Sequence, residues 1–249
     1  MSTIVLNGKV LTVGGKALEY VMPPIVPKGS IVNLDLDGQG DKQYRVLKCN
    51  RNVAQVVAMY DDLTSKYNAT STTTTFGSTT AQKYECSTLD TYLNTTWYNT
   101  LSTEAKNAIV PENVVQYCYQ YYDEPNTPNT PTYTYQYQYN WSDSDYENVD
   151  NVGNVTVGER NVFALDLKDI FDYLGKVCIT SDELMIMFWN STTKVSKYPW
   201  LRSSSDNSDA AWSVDGGNGS LFGGAVILSV VVRPALNLNL SLIPFSVAP

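Results

Sequence analysis

The chain contains no histidine. That removes histidine general bases, Ser–His–Asp and Cys–His arrangements and imidazole metal ligands together. Charge is scarce too: Asp, Glu, Lys and Arg supply 17% of the 249 residues, below the usual quarter. The net charge is −8 and no basic run occurs, so a nucleic-acid partner, which needs clustered Lys and Arg against phosphates, is not expected. No apolar stretch approaches the ~18 residues of a membrane-spanning helix, so membrane insertion is not expected either. The opening MSTIVLNGKVLTVGGK lacks the basic-then-apolar profile of a signal peptide. Cysteine is thin and scattered, at Cys49, Cys86, Cys118 and Cys178, with no C-x-x-C pair. That spacing fits neither a zinc site nor a dense disulfide framework; buried free thiols are expected, with one disulfide left open.

Thr, Ser, Asn and Tyr take the place of charge, Tyr alone occurring 18 times. Such a neutral-polar surface suits the outside of a cell or particle, and tyrosine adds rigid contact area at low entropic cost. The length suffices for one large domain with a sizeable core.

Residues 1–26 read as short strands around Gly8 and Gly14-Gly15, followed by the stiff Pro23-Pro24-Ile25-Val26-Pro27. They form either an N-terminal attachment and assembly segment or an edge hairpin of the same domain. From Gly29 a hairpin is predicted: Ser30–Leu36 alternates, Asp37-Gly38 turns and Gln43–Cys49 returns. Asn33, Asp35, Asp37, Gly38 and Asp41 echo part of a calcium loop, but the closing Glu position is Tyr44, so a plain turn is expected. Val53–Tyr60 makes a third strand. The low-complexity stretch 68–80 reads as a surface loop.

Ser87 is placed to cap a helix striped by Leu89, Tyr92 or Leu93, and Thr96 or Trp97; Ser102 is placed to cap a second, ending at Pro111. Residues 121–150 form a Tyr/Thr/Pro-rich insertion, either a hairpin with one aromatic face or a loop. Asn161–Leu165 reads as a strand, Lys168–Leu174 as a helix stopped by Gly175, and Ser181-Asp182-Glu183 opens another helix. Asp166, Asp169 and Asp172 share a helix side; solvation and capping, not acid–base catalysis, is the expected role, and no catalytic residue is assigned.

The last quarter, Tyr198–Leu238, is organised differently. It opens with Trp200-Leu201-Arg202 and closes with Val232-Arg233-Pro234-Ala235-Leu236; the intervening residues include no Lys, Glu, Gln or Met. Trp200, Arg202, Trp212 and Arg233 are read as framework: the tryptophans pack beneath a surface and the guanidinium forks hold carboxylates or loop carbonyls. Ala225–Val232 also reads as an ordinary buried strand, an alternative that stays open beside a displayed loop.

The ordered series GSIVNL, YRVL, STLDTYLNTTWYNTLSTEAKNAIV, ALDLKDIFDYLG, ELMIMFWN, YPWLRS and VRPALNL, over about 29–240, resembles an uncharacterised domain family of bacteriophages and gut bacteria. That family is similar to proteins of the C-type-lectin fold, relatives of the formylglycine-generating enzyme, several of which are variable proteins of diversity-generating retroelements. The resemblance implies an α+β fold with a mixed, mostly antiparallel sheet, two principal helices and long loops, residues 27–249 forming the ligand-binding domain. It implies a variable region at about 203–231, rewritten mostly at AAC codons into N-N-C codons, which never encode Lys, Gln, Glu, Met or Trp. The candidate variable, ligand-contacting positions are Ser213, Asp215, Gly216, Gly217, Asn218, Ser220, Phe222, Gly223, Gly224, Ala225, Ile227, Leu228, Ser229 and Val230. All are residue types an N-N-C codon can give, and Trp212 is not.

On this resemblance the expected function is a receptor-binding display protein, a phage tail-tip adhesin on the virion that contacts a bacterial surface receptor, protein or glycan. It needs no cofactor and no metal. A phage tail or fibre protein would hold the N-terminal segment, and a homotrimer is one possible assembly. The competing expectations are a bacterial surface or secreted lectin-like adhesin and a formylglycine-generating-type enzyme. The enzyme type uses a cysteine pair, for which only Cys86 and Cys118 are near in sequence.

Overall fold

The computed structural model describes residues 26–60, 63–67, 83–121, 149–175, 181–189, 198–205, 210–216, 219 and 221–248, with six two-residue strands between 2 and 20. These short strands pair antiparallel: Ser2–Thr3 with Glu19–Tyr20, Val5–Leu6 with Lys9–Val10, and Thr12–Val13 with Lys16–Ala17. They flank the glycines that the sequence marks as turns.

The predicted hairpin forms between β1 (Ile31–Leu34) and β2 (Lys42–Asn50). Its turn uses Gly38 at φ 75°, where a side chain would be strained. Asp35 and Asp37 spend their carboxylates inside it, accepting from Gly38 N–H (2.7 Å) and Gln39 N–H (3.1 Å). β3 (Val53–Ala58) follows, and β4 (Thr64–Lys66) leaves this sheet for another part of the fold. With β5 (Ile109–Val110), β12 (Ala235–Asn239) and β13 (Ser246–Val247), the first three strands make a six-stranded antiparallel sheet of order β5-β12-β3-β2-β1-β13. Val32, Leu34, Val46, Val56, Leu236 and Leu238 are buried on it.

The second sheet has five strands in the order β7-β6-β8-β9-β10: β6 (Glu112–Tyr121), β7 (Val149–Arg160), β8 (Trp200–Ser204), β9 (Ala210–Val214) and β10 (Leu221–Ala225). Every pairing in it is antiparallel except β6 with β8, which meet in parallel at Cys118 and Ser204. A two-stranded ribbon joins β4 to β11 (Ser229–Val231). The architecture is α+β with mixed, mostly antiparallel sheets. The 121–150 insertion stands on ten paired rungs of β6 and β7; its residues 122–148, like the 68–80 loop, lie outside the described residues.

Four helical runs occur among the described residues, each where the sequence marks a helix. The first, α1, covers 88–100 and joins α-helix Thr88–Thr91, π-helix Tyr92–Trp97 and α-helix Tyr98–Thr100. Its buried stripe is Leu89, Leu93 and Trp97, a spacing of four that the wider π turn keeps on one face. Ser87 caps it by accepting from Asp90 N–H (3.0 Å), and Ser102 caps α2 (Thr103–Ala108) by accepting from Ala105 N–H (3.0 Å), both as predicted. α3 (Leu167–Leu174) ends at Gly175 in the left-handed conformation, and α4 (Ser181–Phe188) opens at Ser181 as predicted.

Two expectations are overturned. Residues 161–165 do not form a strand beyond one antiparallel bridge of Phe163 to Ala235. The backbone groups of Val162 and Ala164 go to side chains instead. The Asn94 amide brackets Val162 (2.9 and 3.2 Å), the Tyr84 hydroxyl accepts from Ala164 N–H (3.1 Å), and the Arg202 guanidinium donates to the Ala164 carbonyl (2.7 Å). Ala225–Val232 is not one strand either: β10 ends at Ala225, residues 226–228 turn, and β11 begins at Ser229.

Candidate functional site

The framework residues come first, because they fix everything displayed around them. β6 and β8 meet at one rung, and Arg202 fills the gap below it. Its backbone N–H donates to the Leu165 carbonyl (2.8 Å), and its guanidinium to the carbonyls of Val115 and Ala164 (2.7 Å each) and to Asp169 Oδ2 (2.6 Å). Asp166 lies 3.8 Å from the same guanidinium, caps α3 through Lys168 N–H (2.9 Å) and accepts from Tyr117 N–H of β6 (3.0 Å). Asp169 closes the capping box on Asp166 N–H (2.8 Å).

This plug ties together β6, β8, α3 and the 163–166 segment. Burial pushes the Asp166 carboxyl up to about 6, against the pull of Arg202 and with a further push from Asp169. Burial disfavours the Arg202 charge, but Asp169 and Asp166 more than offset it and raise its pKa. Of the three aspartates the sequence places on one helix side, Asp166 and Asp169 are therefore structural. Asp172 is exposed and pairs with Lys168.

Trp200 is the second anchor. It is buried, its Nε1 donates to the Ser65 carbonyl (3.1 Å), and Tyr67 packs edge-on at 5.6 Å between centroids. A Cβ on Gly224 would stand 3.0 Å from two Trp200 ring atoms, so only glycine fits there without movement. Buried Tyr67 donates to the Arg202 carbonyl (2.8 Å) and accepts from Gln116 (3.0 Å), whose carbonyl accepts from Tyr84 N–H (2.9 Å). Arg233 is the third anchor: buried, bonded to the Ala58 carbonyl (3.1 Å) and 4.8 Å above the Trp189 ring. Trp212 is buried in β9. All four framework residues lie inside, holding carbonyls, a carboxylate or ring faces.

Among the described residues, the candidate contact positions differ in exposure. Ser213 is fully buried and its hydroxyl donates to the Pro199 carbonyl (2.8 Å). Buried on β9, between β8 and β10, it lies off the solvent-facing surface. Gly216 and Gly224 are buried as well, Gly224 by the Trp200 ring. Gly217, Asn218 and Ser220 lie outside the described residues.

The remainder fall at two ends of β10. At one end, Asp215 is half-buried and Phe222 is half-exposed, packed edge-on against Tyr198 at 5.2 Å. At the other, Ala225 and Val230 are half-exposed around Ile227 (44% exposed), Leu228 (50%) and the exposed Ser229. Gly223 lies between the two groups and is half-exposed. Four steps of ~3.3 Å across the five residues separate the ends by ~13 Å. Val226, wholly buried, roots the second group, and Leu228 N–H closes it onto the Ala225 carbonyl (2.9 Å).

Two further places carry chemistry. An open cleft of about 490 Å³ includes Asn33, Asp35, Asp41 and Glu104 in its lining, beside Ile243 and Phe245. It coincides with the partial echo of a calcium loop. No group of three or more His, Cys, Asp or Glu able to hold a metal occurs among the described residues. Cys49 is half-buried and Cys86 exposed, both as free thiols, so the expectation of buried thiols fails at Cys86. Cys86 occupies the turn before α1 at φ 61°, and its N–H is held by Asp90 (3.0 Å), which orients it outward; nothing in the local sequence signals this.

No curated protein and no solved structure matches the chain. A family model described as "Domain of unknown function (DUF6273)" matches residues 62–240, from just before β4 to just past β12, and so takes in the five-stranded sheet, all four helical runs and every framework residue. With most of its length matched, the chain belongs to the DUF6273 family.

Proposed function

We propose that this chain is a receptor-binding display protein of the C-type-lectin class, carried on a phage tail tip and presenting the 225–230 turn to a bacterial surface receptor. The observation that carries the reading is the contrast at that turn. Ile227 and Leu228, 44% and 50% exposed, project from a chain whose neighbours Val226 and Val231 are buried. An uncharged apolar tip on an immobilised base suits a contact that excludes water. Arg202, Trp200 and Arg233 hold the base through bonds that do not involve the tip's side chains, so the tip can change without loss of the fold.

Under this reading the buried Ser213, Gly216 and Gly224 drop out, and the accessible positions among the described residues are Asp215, Phe222, Gly223, Ala225, Ile227, Leu228, Ser229 and Val230. The N-terminal segment would attach the domain to a tail or fibre protein, and several weakly binding copies on one particle would give avidity.

The coding DNA tests the diversification directly. N-N-C codons at these positions, with a nearby near-repeat carrying AAC there and an adjacent reverse-transcriptase gene, are the expected finding. Ordinary codon use with no template repeat removes the retroelement reading. The contact surface is tested separately, by pull-down of purified wild type and an Ile227→Ser/Leu228→Ser variant on candidate host cells. Binding is expected to fall at least ~10-fold with the melting temperature held; equal binding by both would sink the assignment.

A further inference from the structure

A bacterial surface offers protein, glycan and lipid, and the 225–230 turn is not equally suited to the three. Its sequence is Ala-Val-Ile-Leu-Ser-Val. The exposed side chains of Ile227 and Leu228 carry no hydrogen-bonding group, and the Ser229 hydroxyl is the only polar side-chain group of the six. A glycan is held by side chains that exchange hydrogen bonds with its hydroxyls, or by an aromatic ring laid on its C–H face. The turn supplies one serine, and the Phe222 ring lies at the other end of β10, packed on Tyr198. A bilayer accepts aliphatic side chains, but a chain of net charge −8 is repelled by an anionic membrane surface. An apolar protein pocket has neither objection.

A second observation lies across the β4–β11 ribbon. Its register sets Lys66 opposite Ser229 and Ser65 opposite Val230. Opposed residues share a face: Lys66 and Ser229 are both exposed, while Ser65 is buried and half-exposed Val230 packs against the core. The Cβ atoms of such a pair stand about 5 Å apart, so the Lys66 ammonium is within a side chain's length of the Leu228-Ser229 end of the turn. Lys42, Lys83 and Lys168 each pair with a carboxylate, but among the described residues no carboxylate pairs with Lys66. An apolar centre with a charge at its rim is the anatomy of a protein–protein contact.

We propose that the receptor met by the 225–230 turn is a protein, with an apolar pocket for Ile227 and Leu228 and a carboxylate on its rim that meets Lys66. This rests on the turn being the receptor contact, as inferred above. Lys66 lies outside the 203–231 region and lysine has no N-N-C codon, so the rim charge stays constant while the tip can change. The tip then governs dissociation and Lys66 governs association, the usual division between a buried centre and a rim charge.

The test measures binding of the purified full chain to candidate host cells left untreated, digested with proteinase K, or oxidised with periodate, and to vesicles of extracted host lipids. Proteinase K is expected to lower binding at least ~10-fold and periodate to leave it within ~2-fold, with no uptake by vesicles. On untreated cells, Lys66→Glu is expected to slow association at least ~3-fold at about 50 mM salt and to match wild type at about 1 M, where screening shortens to ~3 Å; dissociation is unchanged. Lys48→Glu makes the same change in net charge at an exposed position of β2 in the other sheet, and is expected to match wild type at both. Binding that survives proteinase K, a larger loss on periodate, uptake by vesicles, or association equally fast in Lys66→Glu and wild type or equally slow in both charge variants overturns the protein receptor and leaves the turn as the contact. Equal binding by wild type and Ile227→Ser/Leu228→Ser, or a wild type that binds no cell, instead removes the display reading and this inference with it.

Discussion

Replacing Arg202 by methionine isolates the plug between β6 and β8. The side chain keeps its aliphatic stem but loses a guanidinium that bonds the Val115 and Ala164 carbonyls and Asp169 and faces Asp166 at 3.8 Å. Removing one partner of a buried ion pair costs ~3–5 kcal/mol, because the other charge stays buried without compensation. Against a total stability of ~5–15 kcal/mol, that loss is a large share. The assay is urea unfolding at pH 7.5 followed by tryptophan fluorescence, with Arg202→Lys as a control that keeps the charge but not the fork. The expected order is wild type, then Arg202→Lys, then Arg202→Met. Without the Arg202 charge, which pulls the Asp166 carboxyl down against its burial, Asp166 of the methionine variant takes up a proton more readily, so this variant is expected to regain stability at pH 5. A loss under ~1 kcal/mol, or a variant that only weakens on acidification, refutes the plug.

Asp166 also gives the wild type a pH signature. With its folded pKa at about 6 against 3.8 unfolded, the stability it contributes is fully present below pH 3.8 and is lost as pH rises through 6. Between pH 7.5 and 5 that amounts to a gain of ~1.4 kcal/mol on acidification, read as the difference between wild type and Asp166→Asn. A difference independent of pH refutes it. Gly224→Ala forces a methyl into the Trp200 ring and is expected to destabilise by ~1–3 kcal/mol in thermal unfolding. Gly223→Ala meets only the movable Ser205 hydroxyl at 3.3 Å and should cost under ~1 kcal/mol; equal losses in both would mean the Trp200 contact is not the cause. Among the two free thiols described, exposed Cys86 should react with a maleimide before half-buried Cys49, as peptide mass mapping would show; the reverse order contradicts the α1 turn.

Short-range chemistry was the readable part of this sequence. The Asp37-Gly38 turn, the caps at Ser87, Ser102 and Asp166, and the stop at Gly175 each depend on residues within four positions. The framework role of Arg202 and Arg233 was readable as well, since a guanidinium in an uncharged segment has to find acceptors. What failed depended on partners far along the chain. Residues 161–165 have strand composition, but Asn94, Tyr84 and Arg202, between 38 and 80 residues away, claim their backbone. Ala225–Val232 is apolar throughout and gives no sign of a turn at 226–228, where β11 departs to pair with β4. A serine composition suited to display did not reveal that Ser213 sits in a strand covered on both faces. Alternation alone could not distinguish the buried Gly224 from the half-exposed Gly223 beside it in β10.

The ten-rung ladder of β6 and β7 bears on how the chain can lengthen. Its last rung sets Tyr121 opposite Val149, so the ladder itself brings the two ends of the intervening 27 residues together. The entropy of closing that connection grows only logarithmically with its length, each doubling adding about 0.6 kcal/mol. The Arg202 plug grips β6 further along, Arg202 bonding the Val115 carbonyl and its partner Asp166 accepting from Tyr117 N–H. Relatives can therefore differ by tens of residues between 121 and 149 at the cost of a single weak hydrogen bond, while a one-residue shift at the plug would disturb four elements at once.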